Sequence, residues 1–261
     1  MTISDATFAG TLPAIIRTDD HRYIVNGVEF PGATSVLDVL AKPALVTWAA
    51  NQTADAALDL WDSPEAVRIV VEATGRDGIK KALTNRHNWK RDEAAQLGSA
   101  VHAWADDMLN NRPLPPLSDL ATQYAKRYAE WWQGSGWRIR LTEAIIHAPS
   151  DPGVHEGWGG TFDLLAYDRD GKTVLADIKT GSGVFREVIL QLTAYKMALL
   201  VQPAGSHVTY PMPNVDRVVA LHVTRDKPVR EIELSSGPNE WSAWLSALDL
   251  YRWTKSVKGK L

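Results

Sequence analysis

The chain has 261 residues, with 28 Lys and Arg against 31 Asp and Glu, a formal net charge of −3, and no cysteine. This length can bury a full core and leaves room for a substantial appendage, while the missing thiols exclude disulfides, thiolate zinc sites and cysteine-held iron–sulfur clusters. Any metal must be held by oxygen or imidazole, and the lack of a bilayer-length apolar run or a basic-then-apolar leader points to a soluble, cytoplasmic protein with no membrane partner.

In chain order, Arg22 to Val25 and Val28 to Phe30 flank Asn26-Gly27 and read as a small hairpin. Thr34 or Ser35 can cap a short helix ending near Pro43. Ala44 to Trp61 follows as a longer helix with Leu45, Trp48, Ala56 and Leu60 on one stripe. Ser63-Pro64-Glu65 is a start signal for the next helix. From Arg76 to Arg91 the run RDGIKKALTNRHNWKR sets Arg76, Lys80, Lys81, Arg86, Lys90 and Arg91 against Asp77 alone, with Trp89 embedded among them. Such a patch suits a nucleic-acid strand, cations on phosphates and the indole on a base; a solvated helical face is an equal reading.

Asp92 to Leu109 is a further helix that contains Gly98-Ser99-Ala100-Val101-His102. Its small residues would let it press closely on another element. Pro113, Pro115 and Pro116 break the chain, and Leu117 to Gln133 is helical again. From Trp137 the character changes. Arg138 to Ala148 alternates like a strand, a hairpin follows, Val184 to Leu200 is helical, Asp216 to Thr224 and Val229 to Leu234 are strands, and Asn239 to Val257 is a closing helix with Trp241, Trp244, Leu245 and Leu248 as its stripe. This order gives an α/β core with a mixed sheet after a mainly helical N-terminal half.

The hairpin between Gly157 and Lys179 concentrates the chemistry. Arg169-Asp170-Gly171 suits a three-residue loop, with Gly171 in the left-handed position. Asp168 then faces Lys172, and the same register carries Asp163 opposite Asp177. Directly opposed like charges are destabilising unless a cation lies between them. Lys179 shares their face. The other face, Phe162, Leu164 and Ala166 against Val174, Ala176 and Ile178, is apolar and suits a core. A divalent cation bridging Asp163 and Asp177 would account for the pair. His102 offers an imidazole to a site otherwise built from carboxylates, although a helical His beside apolar residues is more often a packing residue. Glu143, in the preceding strand, could hold a second cation or orient a water, or be a surface carboxylate. Gln191 and Tyr195, one helical turn apart, share a face and could bond a phosphate oxygen or position Lys179; a half-buried Tyr beside a solvated Gln would look the same.

Taken together and in order, Gly98-Ser99-Ala100-Val101-His102, Gly160-Thr161-Phe162-Asp163, Asp177-Ile178-Lys179-Thr180-Gly181 and Gln191 through Tyr195 resemble the RecB-type branch of the PD-(D/E)xK nuclease superfamily. Thr34-Ser35-Val36-Leu37 and Lys42-Pro43-Ala44-Leu45 through Trp48 are similar to bacteriophage-encoded exonucleases of that branch. The resemblance implies a restriction-endonuclease-like α/β core, a central mixed sheet flanked by helices, over residues 92–261, with residues 1–91 a hairpin-and-helix region that guides DNA. It makes His102, Asp163, Asp177 and the backbone carbonyl of Ile178 metal ligands, with Glu143 beside a second ion. Lys179 becomes the catalytic lysine, Gln191 and Tyr195 the substrate-orienting pair, and Thr180 a contact to the strand. The family's Pro-Asp is Phe162-Asp163 here, and the absent cysteines exclude the iron–sulfur cluster that some relatives carry and weaken the match to those members.

The function implied is a DNA exonuclease that uses one or two Mg2+ or Mn2+ ions and leaves a 5′-phosphate, in phage or bacterial recombination, repair or replication. Its partners would be DNA, single-stranded or with a free end, and a recombination or single-strand-binding protein. A structure-specific endonuclease of the same fold and a non-catalytic nucleic-acid-binding protein on an inactive nuclease scaffold are the alternatives.

Overall fold

A computed structural model describes residues 13–20, 22–151 and 156–257. The chain divides into two compact units, residues 40–99 and residues 1–39 with 100–261.

The smaller unit is helical. Helix α2 (Pro43–Trp61) starts with proline in its first turn, where the missing N–H costs nothing. Helix α3 (Pro64–Leu109) joins what the sequence suggested were separate helices, and its one departure from helical backbone is Gly75 at φ 67°, ψ −172°. The basic run from Arg76 is therefore helical.

In the larger unit, β1 (Ile15–Arg17), β2 (Tyr23–Val25) and β3 (Val28–Phe30) form a three-stranded sheet. Asn26 and Gly27 both have positive φ, 51° and 76°, the pattern of a two-residue turn whose twist matches its strands. Strand β1 is an addition to the expected hairpin, pairing Ile15 with Val25 and burying Ile15. The short α1 (Ala33–Val36) starts at Gly32 with no side-chain cap, so neither Thr34 nor Ser35 plays that part. A 3-10 turn, Leu37–Val39, follows. Helix α4 (Asp119–Ser135) is capped by Ser118, whose hydroxyl accepts from the Ala121 amide, and stops at left-handed Gly136.

The main sheet is mixed and seven-stranded: β4 (Arg138–Ala148), β5 (Trp158–Tyr167), β6 (Thr173–Lys179), β7 (Leu200–Gln202), β8 (Tyr210–Pro211), β9 (Arg217–His222) and β10 (Arg230–Glu233), in the order β10-β9-β6-β5-β4-β7-β8. Only β6 and β9 run parallel. Helix α5 (Glu187–Lys196) lies between β6 and β7, and α6 (Pro238–Val257) closes the described chain. Helix α5 ends short of Leu200 because Leu200–Gln202 pairs with β4 as an additional strand. Among the described residues no helix is long and apolar enough to cross a membrane.

The β5–β6 hairpin has the expected register. Tyr167 pairs with Thr173 and Leu164 with Ala176, and Gly171 turns the loop at φ 79°. Leu164, Ala166, Val174, Ala176 and Ile178 pack with Val219, Leu221 and Val223 against Ala105 and Leu109 of α3 and Tyr128 of α4. The face that carries Asp163 and Asp177 is covered as well, because Leu165 and Leu175 are fully buried on it; these strands are covered on both sides. Each such Leu contributes about 1.5–3 kcal/mol by leaving water, so the strands carrying the acidic residues are held from two directions.

The N-terminal sheet belongs with this core, and the boundary expected at residue 91/92 falls elsewhere. The reason is local. Ile15 gives its amide to the Gln202 side chain at 2.7 Å and takes the Gln202 amide at 2.9 Å, Thr209 donates to the Pro13 carbonyl, and Gly32 bridges Gly159.

Candidate metal centre

Four elements of the larger unit bring ionisable side chains together. Helix α3 supplies His102, β4 Glu143, β5 Asp163 and the end of β6 Asp177 and Lys179. Their positions follow from the ladder. Strands β5 and β6 pair as far as Leu164 and Ala176, and one step further Asp163 and Asp177 come opposite each other. There the Asp163 carboxylate replaces the backbone as acceptor, taking the Ile178 amide on Oδ2 at 2.6 Å. Its Oδ1 faces His102 Nδ1 at 3.3 Å. Asp177 turns its Oδ2 to Lys179 Nζ at 2.6 Å.

Like charges are thus interleaved with cations: Asp163 with His102, Asp177 with Lys179. His102, Glu143 and Asp163 each place one ligand atom within 4.8 Å of the others. Asp177, expected as a ligand, is not one of these three; its carboxyl feels the charges of Asp163 and His102 and is held by Lys179. Glu143, assigned from sequence to a second ion, is therefore central. It sits at φ 45°, left-handed backbone that is uncommon for a non-glycine residue within a strand. Strain of this kind costs about 1–3 kcal/mol and persists where surrounding structure enforces it. The flanking pairs Thr142 with Leu164 and Ala144 with Phe162 pin the strand on either side.

Burial and mutual fields set the protonation. Burial opposes charge on the His102 imidazole, yet Asp163, then Asp177 and Glu143, push its pKa up to about 9. Burial, reinforced by Asp163, raises the Glu143 carboxyl to about 7. Burial and Asp163 raise Asp177 against the pull of Lys179. For Asp163 burial is outweighed by His102, Lys179 and the Ile178 amide, which hold it below the usual carboxylate range. Lys179, despite burial, is kept charged by Asp177 and Asp163.

Gln191 and Tyr195 meet as expected, with Gln191 Nε2 donating to Tyr195 Oη at 3.0 Å. Gln191 also reaches Thr34 Oγ1 at 3.4 Å. Tyr195 is buried against Gly160, where an added Cβ would lie 2.4 Å from its ring. Thr180 is half-buried at the end of β6. The remaining residues assigned to DNA contact lie on α3 in the helical unit. Lys80 and Lys81 are exposed and Trp89 is 57% exposed. Arg86, Lys90 and Arg91 are paired with Asp59, Glu93 and Asp92. Ser99 is exposed, and the close approach of α3 to the sheet is made by Ala105 and Leu109 instead.

Sequence reasoning did not reach three neighbours of this centre. His222 pairs with Lys179 across β6 and β9 and donates from Nε2 to the Gly181 carbonyl at 2.9 Å, fixing the turn after Lys179. Tyr23 hydrogen-bonds Thr161, two residues before Asp163, at 3.1 Å. Tyr128 buries its hydroxyl without a hydrogen-bond partner among the described residues, and burial, then the fields of Asp163 and Asp106, hold its pKa up. None of the three carries a sequence signal, since each acts through a distant strand or helix.

The donor set is oxygen-rich with one imidazole, which suits a hard divalent cation such as Mg2+ and, with nitrogen present, Mn2+. No protein-family model and no curated protein matches the chain. Among solved structures, one titled "Crystal structure of SSO0001" is 14% identical over 51% of this chain and 58% of that one, at a TM-score of 0.33. The overlap spans less than two thirds of that structure, and the likeness is too slight to carry an argument.

Proposed function

We propose that this chain is a metal-dependent nuclease, an exonuclease acting on DNA. The observation that carries the reading is the interleaved cluster of His102, Glu143 and Asp163 with the Asp177–Lys179 pair beside it. Packing of the hydrophobic core gives no reason to gather three carboxylates here, and burial of unpaired charge is costly. A divalent ion would be held by His102, Glu143 and Asp163, with Asp177 adjacent. When bound it supplies Lewis acidity toward a phosphate oxygen and a more acidic water.

The chain's own groups then have distinct tasks. Glu143, ionised as a ligand, can accept a hydrogen bond from a nearby water on its second carboxylate oxygen and orient it. Lys179 brings a fixed positive charge, oriented by Asp177, to the anionic transition state of phosphodiester cleavage. Gln191 ties Tyr195 to Thr34, and the exposed Thr34 hydroxyl can donate to a phosphate oxygen. The exposed Lys80, Lys81 and Trp89 of α3 suit a strand of nucleic acid. Action in phage or bacterial recombination, repair or replication, in the host cytoplasm if the protein is phage-encoded, extends the same reading.

The test is digestion of end-labelled single- and double-stranded DNA with Mg2+ or Mn2+, with chelator as control. A closed circular single strand is included because a strict exonuclease leaves it whole. Asp177→Ala is expected to lose digestion and keep its circular dichroism. Absence of divalent-dependent hydrolysis would leave a binding protein as the reading, and cleavage of the circle would make the enzyme an endonuclease.

A further inference from the structure

Glu143 holds left-handed backbone between two paired neighbours, Thr142 with Leu164 and Ala144 with Phe162. The ladder fixes the strand on either side. It does not fix how far the Glu143 carboxylate stands from His102, which comes from a helix. That span is set by whatever joins α3 to β4.

One side-chain bond joins them beside the site. Asn110, just past the end of α3, donates from Nδ2 to the Thr142 hydroxyl at 2.8 Å. Thr142 is buried and directly precedes Glu143. The donor is itself held. Its Nδ2 also reaches the Asp106 carbonyl at 2.8 Å and Asp106 Oδ1 at 2.9 Å, so one amide hydrogen serves Asp106 and the other Thr142. Asp106 lies one helical turn after His102, on the same face. Arg112 pairs with Asp106 through Nη2 and with Asp107 through Nε at 2.6 Å, and its amide closes on the Asp107 carbonyl at 2.9 Å. The reversal that brings Arg112 back is made at Asn111, φ 54°, a left-handed position that asparagine accepts more readily than most residues.

Bonds thus run from Arg112 through Asp106 and Asn110 to the residue before Glu143. A buried hydroxyl needs a partner, and many groups would serve. The partner found here sits on the helix that carries His102, so the bond ties together two ligands from different elements.

We propose that Asn110 and Thr142 are positioning residues that hold the His102–Glu143 span to the size of a small divalent ion, and so favour Mg2+ and Mn2+ over Ca2+. The inference rests on the metal centre proposed above. Mg2+ demands near-ideal octahedral geometry at about 2.0–2.1 Å, whereas Ca2+ accepts flexible shells at about 2.3–2.6 Å. A fixed span serves the first, and a slack one is tolerated by the second. Groups that orient metal ligands typically change affinity by about 10–100-fold.

The test reads binding, with no turnover involved. Titration calorimetry on the metal-free full chain is expected to show Mg2+ and Mn2+ binding more tightly than Ca2+. Asn110→Ala, a change at an exposed residue, is expected to keep the circular dichroism, weaken Mg2+ and Mn2+ by about tenfold or more, and leave Ca2+ close to its original affinity. Thr142→Val is expected to do the same, and Thr142→Ser, which retains the acceptor, to keep the original selectivity. Asn110→Ala with Thr142→Val should be no worse than either alone, because both cut one bond. Equal losses for all three ions, or a lower melting temperature with unchanged selectivity, would make the bond structural only and overturn the proposal. An unsubstituted chain that binds none of the ions would remove the metal centre itself, and the proposal with it.

Discussion

Binding of a divalent ion here must displace protons, and the size of that effect is set by His102. Against the cost of burial, the field of Asp163 above all pushes its imidazole from 6.5 to about 9. A ligating imidazole must be neutral. A tenfold change in proton affinity is worth about 1.4 kcal/mol, so the proton holds the site with on the order of 3 kcal/mol, an upper bound because the side chain is 26% exposed. Mn2+ affinity measured by titration calorimetry should therefore rise about tenfold per pH unit from about pH 7 to about 9 and level off above. Below about 7 the Glu143 proton adds to the slope. Calorimetry in buffers of different ionisation enthalpy should find about one proton released per ion near pH 8. His102→Asn should weaken binding and remove the slope above about pH 7. Affinity that stays flat over that range in the unsubstituted protein would refute the placement of His102 beside the ion.

Without metal, stability should move the opposite way. His102 has a folded pKa above its unfolded value, so its contribution is complete below about 6.5 and lost as pH rises through about 9. Glu143 behaves alike from 4.5 to about 7. The melting temperature of chelator-treated protein should therefore fall from about pH 5 to about 9, and His102→Asn should flatten the upper part; a rise there would contradict the fields described. Lys179→Ala should lose digestion and cost roughly 2–4 kcal/mol in denaturant unfolding, because it leaves buried Asp177 unpaired. Asp177→Asn with Lys179→Met should recover stability but no activity, and any digestion by the pair would remove Lys179 from the chemistry. Gly160→Ala should cost about 1–3 kcal/mol by driving a methyl into Tyr195, and unchanged stability would show that ring to be mobile. Tyr128→Phe should be neutral or stabilising by about 1 kcal/mol, since the hydroxyl is buried unpaired; a clear loss would reveal a bridging water.

Much of this architecture is legible from local rules. The Asp168–Lys172 turn fixes the hairpin register, because side chains alternate with period two and one slip would invert every face. The gathering of Asp163, Asp177 and Lys179 follows from that register alone. The burial of Leu165 and Leu175 does not, since a strand reads the same whether its polar-bearing face is open or covered. Strand β7 lies within an apolar run that suits a helix equally well, and only its pairing with β4 decides. The break in α3 rests on one glycine, and glycines at positive φ have no signature distinguishing them from glycines tolerated within a helix. Glu143 is readable as a strand carboxylate, but its left-handed backbone comes from the sheet around it. Its central place beside His102 needs the three-dimensional meeting of α3 with β4.

The bonds that tie the N-terminal sheet to the core span most of the chain: Tyr23 to Thr161 is 138 residues, Ile15 to Gln202 is 187 and Pro13 to Thr209 is 196. Such separations put this protein among topologies whose closure entropy is met late in folding. During synthesis, the sheet of β1, β2 and β3 waits for its contacts with the core until β5, and then β7, have left the ribosome. The turn after Lys179 waits still longer, for His222. The cluster of carboxylates and cations has been synthesised once Lys179 is made, but the strand β9 beside it and the His222 bond that fixes the following turn come about forty residues later, so a nascent chain carries its acidic residues before the elements that hold them are all in place.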